Sequence, residues 1–301
     1  MNGQLDLRRV ILFCFIAFGF AAATAGYLAL NGGLNPTTAP PLMTIGIVVV
    51  GYMGAPMYAH ILTRVITKEG WRDLPLRLHF RRGWPAWLGA WFLPGILTIV
   101  GGIVYFVIFP QHYDPALGRV QAMLDQATAQ TGTQVPFSPL QIAGLQTLQG
   151  MLIAPLLNAL PSFGEEFGWR AYLQPKLMVL GWRRAMVWMG VIWGFWHWPI
   201  LALGHNYGLD YPGAPWLGML AFVWFTFILG TLLGWLTVRG GSVWPAVIGH
   251  GAVNGIAGLG ILFAQGNPNL LVGPVPYGLI GGLAFSAVAI WMWFNPPSLP
   301  S

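Results

Sequence analysis

Two adjacent carboxylates stand at the end of an apolar stretch in a chain that contains few acids. Glu165 and Glu166 belong to only 8 Asp and Glu residues among 301, and the apolar residues before them are numerous enough to cross a membrane. Charged side chains are costly at bilayer depth, so acids in such a place are usually functional. Glu166 and Arg170 are four residues apart, the spacing at which two side chains share a helical face and can form an ion pair.

Two histidines and an asparagine in later apolar stretches are the other candidates for chemistry. His197 follows Trp193 by four residues, and Asn254 follows His250 by four, so each pair shares one face of a predicted helix. The depth of each group can be estimated by multiplying the number of residues from the nearest basic turn by the helical rise per residue. This estimate places these groups in the same half of the predicted bundle as Glu165. They can therefore meet around one pocket.

A carboxylate, two imidazoles and a carboxamide in a shielded pocket suit hydrolysis by an activated water. The carboxylate and one imidazole can orient a water and take its proton, while the other imidazole and the amide donate to an oxyanion. Alternatively, Glu165, His197 and His250 form a ligand set that catalytic zinc uses, although the chain has no His-Glu-x-x-His motif. The sequence leaves both options open: no cofactor, or a zinc ion.

The composition that surrounds these residues is that of an integral membrane protein. Apolar residues make up 56% of the chain and charged residues 7%, whereas soluble domains are about a quarter charged. The net charge of +6 fits the excess of basic residues in cytoplasmic loops, so we expect the lipid bilayer, and no nucleic acid, as a partner. The single Cys14 excludes an intrachain disulfide.

Eight apolar stretches are long enough to span a membrane as helices of about 20 residues. They predict an all-α, polytopic transmembrane bundle that forms a single integral membrane domain over residues 1–301, with the motif-bearing core at about 143–263. The predicted spans are Val10–Leu30, Leu42–Leu62, Trp84–Phe109, Ala143–Phe163, Ala185–Leu203, Trp216–Val238, Val243–Phe263 and Pro276–Phe294.

Basic residues collect in every second connection between these spans. Of the 14 Lys and Arg residues, all but Arg119 flank the spans on one side. By the positive-inside rule this predicts that the N- and C-termini are cytoplasmic, in the plasma (inner) membrane. The segment 71–84 alternates apolar and basic residues, which fits either a segment on the lipid surface or an ordinary basic loop.

The remaining polar residues have simpler interpretations. His60, near the end of the second predicted span, is interpreted as a packing or interfacial residue. His112 and His205 fall in predicted external loops and are interpreted as incidental. The pair Asp114 and Pro115 predicts a short external helix that ends at about residue 127, since Pro suits the first helical turn.

The three polar motifs together resemble the CPBP family, the CAAX-protease and bacteriocin-processing (Abi) group of intramembrane peptidases. The motifs of that family read Glu-Glu-x-x-x-Arg, Phe-x-x-x-His and His-x-x-x-Asn, and a Trp replaces the Phe here. The resemblance covers about residues 165–254, and the first four spans resemble the family only in being hydrophobic. The matching residues are Glu165, Glu166 and Arg170, then Trp193 and His197, then His250 and Asn254.

The resemblance implies an endopeptidase, either glutamate-dependent or a metalloprotease, that acts on a membrane-associated peptide or a lipidated, CAAX-type prenylated protein. By this resemblance, Glu165 and His197 activate the water, and His250 and Asn254 stabilise the oxyanion. The supporting residues are Glu166, Arg170 and Trp193.

Two other functions are compatible with the same residues. One is a non-enzymatic membrane scaffold or bacteriocin-immunity factor that keeps the pocket for structure or for binding a partner. The other is a proton-coupled transporter, because buried Glu and His can relay protons, although no pair of broken helices in matching halves is recognisable.

Overall fold

The computed structural model of the protein describes residues 5–34 and 40–298. Within these ranges the chain is helical, and no β-strand is formed beyond an isolated bridge between Tyr113 and Ala264. The prediction of an all-α protein is therefore confirmed. The α-helices are α1 (Leu7–Leu30), α2 (Pro41–Ile47), α3 (Ala55–Ile66), α4 (Phe80–Ile108), α5 (Gly118–Thr131), α6 (Pro139–Leu152), α7 (Ala154–Leu157), α8 (Ala159–Gly168), α9 (Gln174–Leu177), α10 (Trp182–Leu201), α11 (Trp216–Gly240), α12 (Trp244–Ile256), α13 (Leu259–Leu262) and α14 (Leu283–Phe294).

Five helices in the described ranges are long and apolar enough to cross a membrane. Two of them combine shorter elements: α2 continues through a π-helical segment, Val48–Met53, into α3, and α12 continues into α13. The count of eight spans stays a prediction, and the terminal residues 1–4 and 299–301, to which the predicted orientation refers, lie outside the described residues. The five candidates are Leu7–Leu30, Pro41–Ile66, Phe80–Ile108, Trp216–Gly240 and Trp244–Leu262.

The three other predicted spans coincide with helices outside these five. The predicted span Ala143–Phe163 is divided among α6, α7 and α8, with breaks at Ile153 and Asn158. Pro155 contributes to the interruption, because proline has no N–H to donate and is best accommodated in the first turn of a helix, where it lies in α7. The fifth predicted span corresponds to α10, of 20 residues, and the eighth to α14, of only 12.

The interrupted segment is covered by α12, which packs against α6, α7 and α8. A Cβ atom at Gly251 would lie 2.7 Å from the carbonyl oxygen of Pro155, and one at Gly255 would collide with Ala154. Backbone that leaves the helical pattern at membrane depth is tolerated where other protein covers it. Small residues on α12 therefore allow the break between α6 and α8.

Glycines also bring the other motif-bearing helices into close contact. A Cβ atom at Gly164 would lie 2.8 Å from the carbonyl oxygen of Met53, and one at Gly194 would lie 2.7 Å from the Cα atom of Val223. These contacts join α8 to the segment before α3, and α10 to α11. Small residues at helix interfaces permit such approach.

Most of the basic segments lie at one end of the bundle. Glu69, in the connection after α3, pairs with Arg9 of α1 at 3.3 Å and with Lys176 of α9 at 2.6 Å. The same connection reaches the start of α12, where the backbone N–H of Val243 donates to the carbonyl of Pro75 at 2.9 Å. Basic segments that are far apart in sequence are therefore neighbours in space.

A short helix after Pro115 is confirmed as α5 at the opposite end of the bundle, although it begins at Gly118 and ends at Thr131 rather than at about residue 127. That it is external stays a prediction. The Asp114 carboxylate accepts from the backbone N–H groups of Ala116 and Gly118, at 2.9 and 2.6 Å. Asp114 therefore organises the turn before the helix.

Candidate active site

Glu165 and Glu166 are neighbours in α8, but their side chains have different surroundings. Successive residues point about 100° apart around an α-helix. Glu165 lines a cavity of about 330 Å³, whereas Glu166 is fully buried and does not line it. Oε1 of Glu166 accepts from Nη1 of Arg170 at 2.9 Å and from Nδ1 of His250 at 2.8 Å. One acid therefore faces the cavity, and the other holds a buried group of charges together.

The end of α8 changes into a π-helical segment, Trp169–Leu173, which contains Arg170. A second π-helical segment, Val48–Met53, contributes Tyr52 to the cavity wall. Such segments are rare and frequently occur at functional sites. Here one of them carries the partner of Glu166 and the other forms part of the cavity wall.

Trp193 of α10 connects the two glutamates. Its Nε1–H donates to Oε2 of Glu165 at 2.9 Å, and the Arg170 guanidinium lies over its ring at 4.4 Å from the centroid. The edge of the His250 ring packs against it at a centroid distance of 5.4 Å. A Phe at this position would keep the ring contacts but has no N–H group to donate to Glu165.

His197 lies one turn after Trp193 and also lines the cavity. Its Nδ1 is 2.8 Å from the Trp193 carbonyl oxygen. A carbonyl can only accept, so Nδ1 carries a proton, and in the neutral imidazole Nε2 is left as an acceptor. This is the form that can take a proton from a water molecule.

His250 and Asn254 lie one turn apart on α12, and both line the cavity. Nδ1 of His250 donates to Glu166, so Nε2 can donate to an oxyanion only when the ring carries both protons. Asn254 is exposed, and its amide is free of the packing that encloses His250. The two groups together can supply the donors that a developing oxyanion requires.

The structure thus brings all four predicted catalytic residues to one cavity, from three separate helices. Glu165 comes from α8, His197 from α10, and His250 and Asn254 from α12. Glu166, Arg170 and Trp193, the predicted supporting residues, are buried and linked to this group by the contacts above. The chemical role of each residue stays a prediction.

The cavity has further polar lining that sequence reasoning missed. The turn after α10 contributes His205 and Asn206, and more distant segments contribute Tyr52 and Tyr277. The Tyr52 hydroxyl donates to the Trp196 carbonyl at 2.6 Å. The interpretation of His205 as incidental rested on its place in a predicted loop, and local sequence does not show that this loop folds back to the cavity.

The sequence left open a zinc site formed by Glu165, His197 and His250. Among the described residues, no group of three His, Cys, Asp or Glu side chains could hold a metal ion. In the set Glu165, His197 and His250, one nitrogen of each ring and one carboxylate oxygen bond to protein partners, which leaves the second nitrogen of each ring and the second carboxylate oxygen. Metal dependence therefore stays a prediction, and we route no step through a metal.

The comparison with known families agrees with this site. Residues 146–256 match the sequence model of a family described as type II CAAX prenyl endopeptidase Rce1-like. This segment contains α8, α10, α11 and α12, and the match is consistent with the CPBP resemblance. No curated protein matches the chain. The match supports, in general terms, an intramembrane endopeptidase, and the apolar helices indicate an integral membrane protein.

Proposed function

We propose that this protein is an intramembrane endopeptidase that hydrolyses a peptide bond of a membrane-associated substrate with a water activated by Glu165 and His197. The observation that carries the proposal is the single cavity that Glu165, His197, His250 and Asn254 line together. A carboxylate and an imidazole acceptor face the same space as two potential oxyanion donors.

The reaction balances with the groups at hand. The water oxygen forms a bond to the carbonyl carbon of the substrate while its proton passes to Glu165, and His197 holds the water through Nε2. The carbonyl oxygen becomes an oxyanion, which accepts from His250 and Asn254. The C–N bond then breaks, and the proton returns from Glu165 to the departing amine. The products are a carboxylic acid and an amine.

The buried group behind the cavity holds this arrangement in place. Glu166 fixes the His250 ring through Nδ1, and Arg170 neutralises Glu166. Trp193 fixes one oxygen of Glu165, while Oε1 of Glu165 makes no hydrogen bond to any described residue and is left for the water.

A membrane-associated peptide is the proposed substrate, and a prenylated CAAX-type peptide is the first to test. The matched family is described as a type II CAAX prenyl endopeptidase. Besides its polar groups, the cavity is lined by apolar side chains, among them Phe222, Leu229 and Val253. Such a wall suits a lipidated or apolar peptide that arrives from the bilayer. We further propose that the basic end of the bundle faces the cytoplasm, in a plasma (inner) membrane.

The decisive experiment is cleavage of prenylated and unmodified peptides of the same sequence by purified protein. Glu165→Ala and His250→Ala should each lower cleavage by about 10²-fold or more, because a general base or an oxyanion donor is lost. Asp125→Ala, which removes an exposed acid on α5, is the control and should cleave like the wild type. Undiminished turnover in both site variants contradicts the proposal.

Metal dependence is tested in the same assay with a chelator. We expect cleavage to persist, because the proposed base is Glu165 and no step needs a metal. If a chelator abolishes the activity and added Zn²⁺ restores it, the mechanism is metal-dependent.

Two further experiments test the alternative functions. Full biological activity of Glu165→Gln in cells would favour the scaffold or immunity factor. Uptake into proteoliposomes that Glu165→Gln abolishes would favour the transporter.

A further inference from the structure

A second buried polar group lies outside the cavity, where α3 meets the end of α8. His60 and Arg64 lie one turn apart in α3, with exposed fractions of 0% and 2%. Nε of Arg64 donates to Nε2 of His60 at 2.7 Å, and Nδ1 of His60 lies 2.7 Å from the Phe167 carbonyl oxygen. Arginine only donates and a carbonyl only accepts. The ring is therefore neutral, with its proton on Nδ1. His60 makes two specific hydrogen bonds, whereas the sequence suggested only a packing or interfacial role.

The carbonyl that His60 binds occupies a sensitive position. Phe167 directly follows Glu166 and precedes the change from α8 to the π-helical segment Trp169–Leu173. At such a change the backbone hydrogen bonds shift from the α to the π pattern. The His60 ring also packs on the rings of Phe167 and Tyr172, at centroid distances of 4.3 and 4.6 Å. One side chain of α3 therefore contacts residues on both sides of the transition.

Arg64 in turn fixes the orientation of the His60 ring. Its Nη1 pairs with Asp73 at 2.9 Å and also donates to the Gly70 carbonyl, and its guanidinium lies over the Trp71 ring at 5.5 Å. Partial burial disfavours the charged form of Asp73, but the hydrogen bond and charge of Arg64 outweigh this effect and lower the pKa of the carboxyl. The imidazole cannot turn over without losing the bond from Arg64.

From these contacts we infer that His60 is a positioning residue for Glu165. By binding the Phe167 carbonyl, it fixes the rotation and height of the last turn of α8, so that Glu165 faces the cavity. The inference rests on the proposed function, because it states how the proposed base is held in place. Displacing a reacting group by about 1 Å can cost about 10²-fold in rate, even when the substituted residue is distant.

Three substitutions at this position separate the hydrogen bonds from the packing. His60→Phe keeps a ring but loses both hydrogen bonds, and it should lower kcat by about 10- to 100-fold with little change in KM. His60→Asn can place an amide N–H near the former Nδ1, and it should recover most of kcat. His60→Gln places its amide near the former Nε2 instead, within reach of Arg64 but not of Phe167, and it should not recover kcat.

Hydrogen exchange of the backbone N–H groups in residues 165–173 is the second readout. Exchange should accelerate in His60→Phe and return towards the wild-type rate in His60→Asn. The control is His112→Phe, which removes a histidine that bonds to Tyr105 at the other end of the bundle and should leave kcat and this exchange unchanged.

The outcomes separate this inference from the proposed function. Wild-type kcat in His60→Phe, or equal rates in the Asn and Gln variants, overturns the positioning role while the peptidase stands. If His60→Phe does not accumulate, the comparison of Asn with Gln decides. If the wild type cleaves no peptide, the proposed function fails, and unchanged exchange in residues 165–173 of His60→Phe then overturns the inference by itself.

Discussion

Trp193 carries a hydrogen-bond donor at the position where the CPBP motif has a phenylalanine. Its indole N–H donates to Glu165, and its ring contacts both Arg170 and His250. The motif spacing in the sequence places Trp193 on the same face as His197, but no spacing rule shows that the indole reaches across to α8. That contact depends on the close packing of helices that are distant in sequence.

Replacing Trp193 with Phe should lower kcat by about 10- to 100-fold. A hydrogen bond to a charged group contributes about 1.5–3 kcal/mol, and each 1.4 kcal/mol or so corresponds to about tenfold in rate. The measurement is kcat for the best peptide, with Trp188→Phe, an exposed position of the same helix, as the control. Equal kcat values for the wild type and Trp193→Phe would show that the indole N–H does not contribute.

Arg170 supports a second prediction, which concerns stability. Arg170→Met should lower the free energy of unfolding by about 3–5 kcal/mol, because Glu166 would keep its charge in a buried place without its guanidinium partner. Thermal unfolding in detergent measures the effect. Adding Glu166→Gln to Arg170→Met should recover part of the loss, whereas exposed Arg184→Met should change little. A double variant no more stable than Arg170→Met would contradict this explanation.

The sequence predicts which residues meet at the cavity, but not which partners each side chain has. The types and spacing of Glu165, His197, His250 and Asn254 predict one pocket, and the structure places all four around one cavity. The sequence does not show that Glu165 lines the cavity while Glu166 is buried against Arg170 and His250. This difference depends on whether Arg170 and the distant His250 meet on the Glu166 side of α8. The role of His60 is hidden for the same reason, since its partner is a backbone carbonyl.

Helix α8 packs closely against α3 because glycines at the contact have no side chain that would separate the two helices. A Cβ atom at Gly168 would collide with the backbone and side chain of Pro56. The same face of α8 approaches Met53 at Gly164, one turn earlier. Two glycines four residues apart therefore set the distance between the helix that carries Glu165 and the helix that carries His60.

Gly168→Ala should destabilise the protein by about 1–3 kcal/mol, the usual cost of overpacking, and should also reduce cleavage. The new methyl group would push α8 away from α3 and move Glu165 with it. Gly144→Ala on α6 is the matched control, because a Cβ atom there meets nothing within 4 Å. Thermal unfolding and kcat are measured together. Equal behaviour of the two variants would mean that the contact relaxes without moving the site.

Hydropathy predicts where apolar segments lie but not whether each is one continuous helix. The span predicted over Ala143–Phe163 meets the length requirement, yet its backbone turns at Ile153 and Asn158. Pro155 is visible in the sequence, but a proline can bend a membrane helix without breaking it. The outcome is decided by α12, which offers small residues to the broken segment, and this packing is a property of the tertiary fold.

For the whole molecule, composition is sufficient to predict an all-helical membrane protein, and the bias of Lys and Arg predicts which ends of the helices lie together. The ion pairs of Glu69 with Arg9 and Lys176 agree with that grouping. The side of the membrane that each end faces is a separate prediction, which an experiment on the whole chain tests.

Labelling of single cysteines tests the orientation. Cys14 is the only cysteine, so Cys14→Ala gives a background without thiols. In that background, Arg77→Cys at the basic end should react with a membrane-impermeant maleimide only in opened cells. Gln130→Cys on α5 should react in intact cells, because the positive-inside rule places the basic end in the cytoplasm. The reverse pattern would contradict the predicted topology.

The dependence of the broken segment on α12 has a consequence for biosynthesis. While the ribosome is still adding residues beyond α8, the turned backbone near Pro155 has no neighbour that shields its polar groups from lipid. The helix that covers it is translated about 90 residues later. The nascent chain must therefore keep this region beside the insertion machinery or in the aqueous boundary until α12 arrives, so the cavity that Glu165 lines is completed late in assembly.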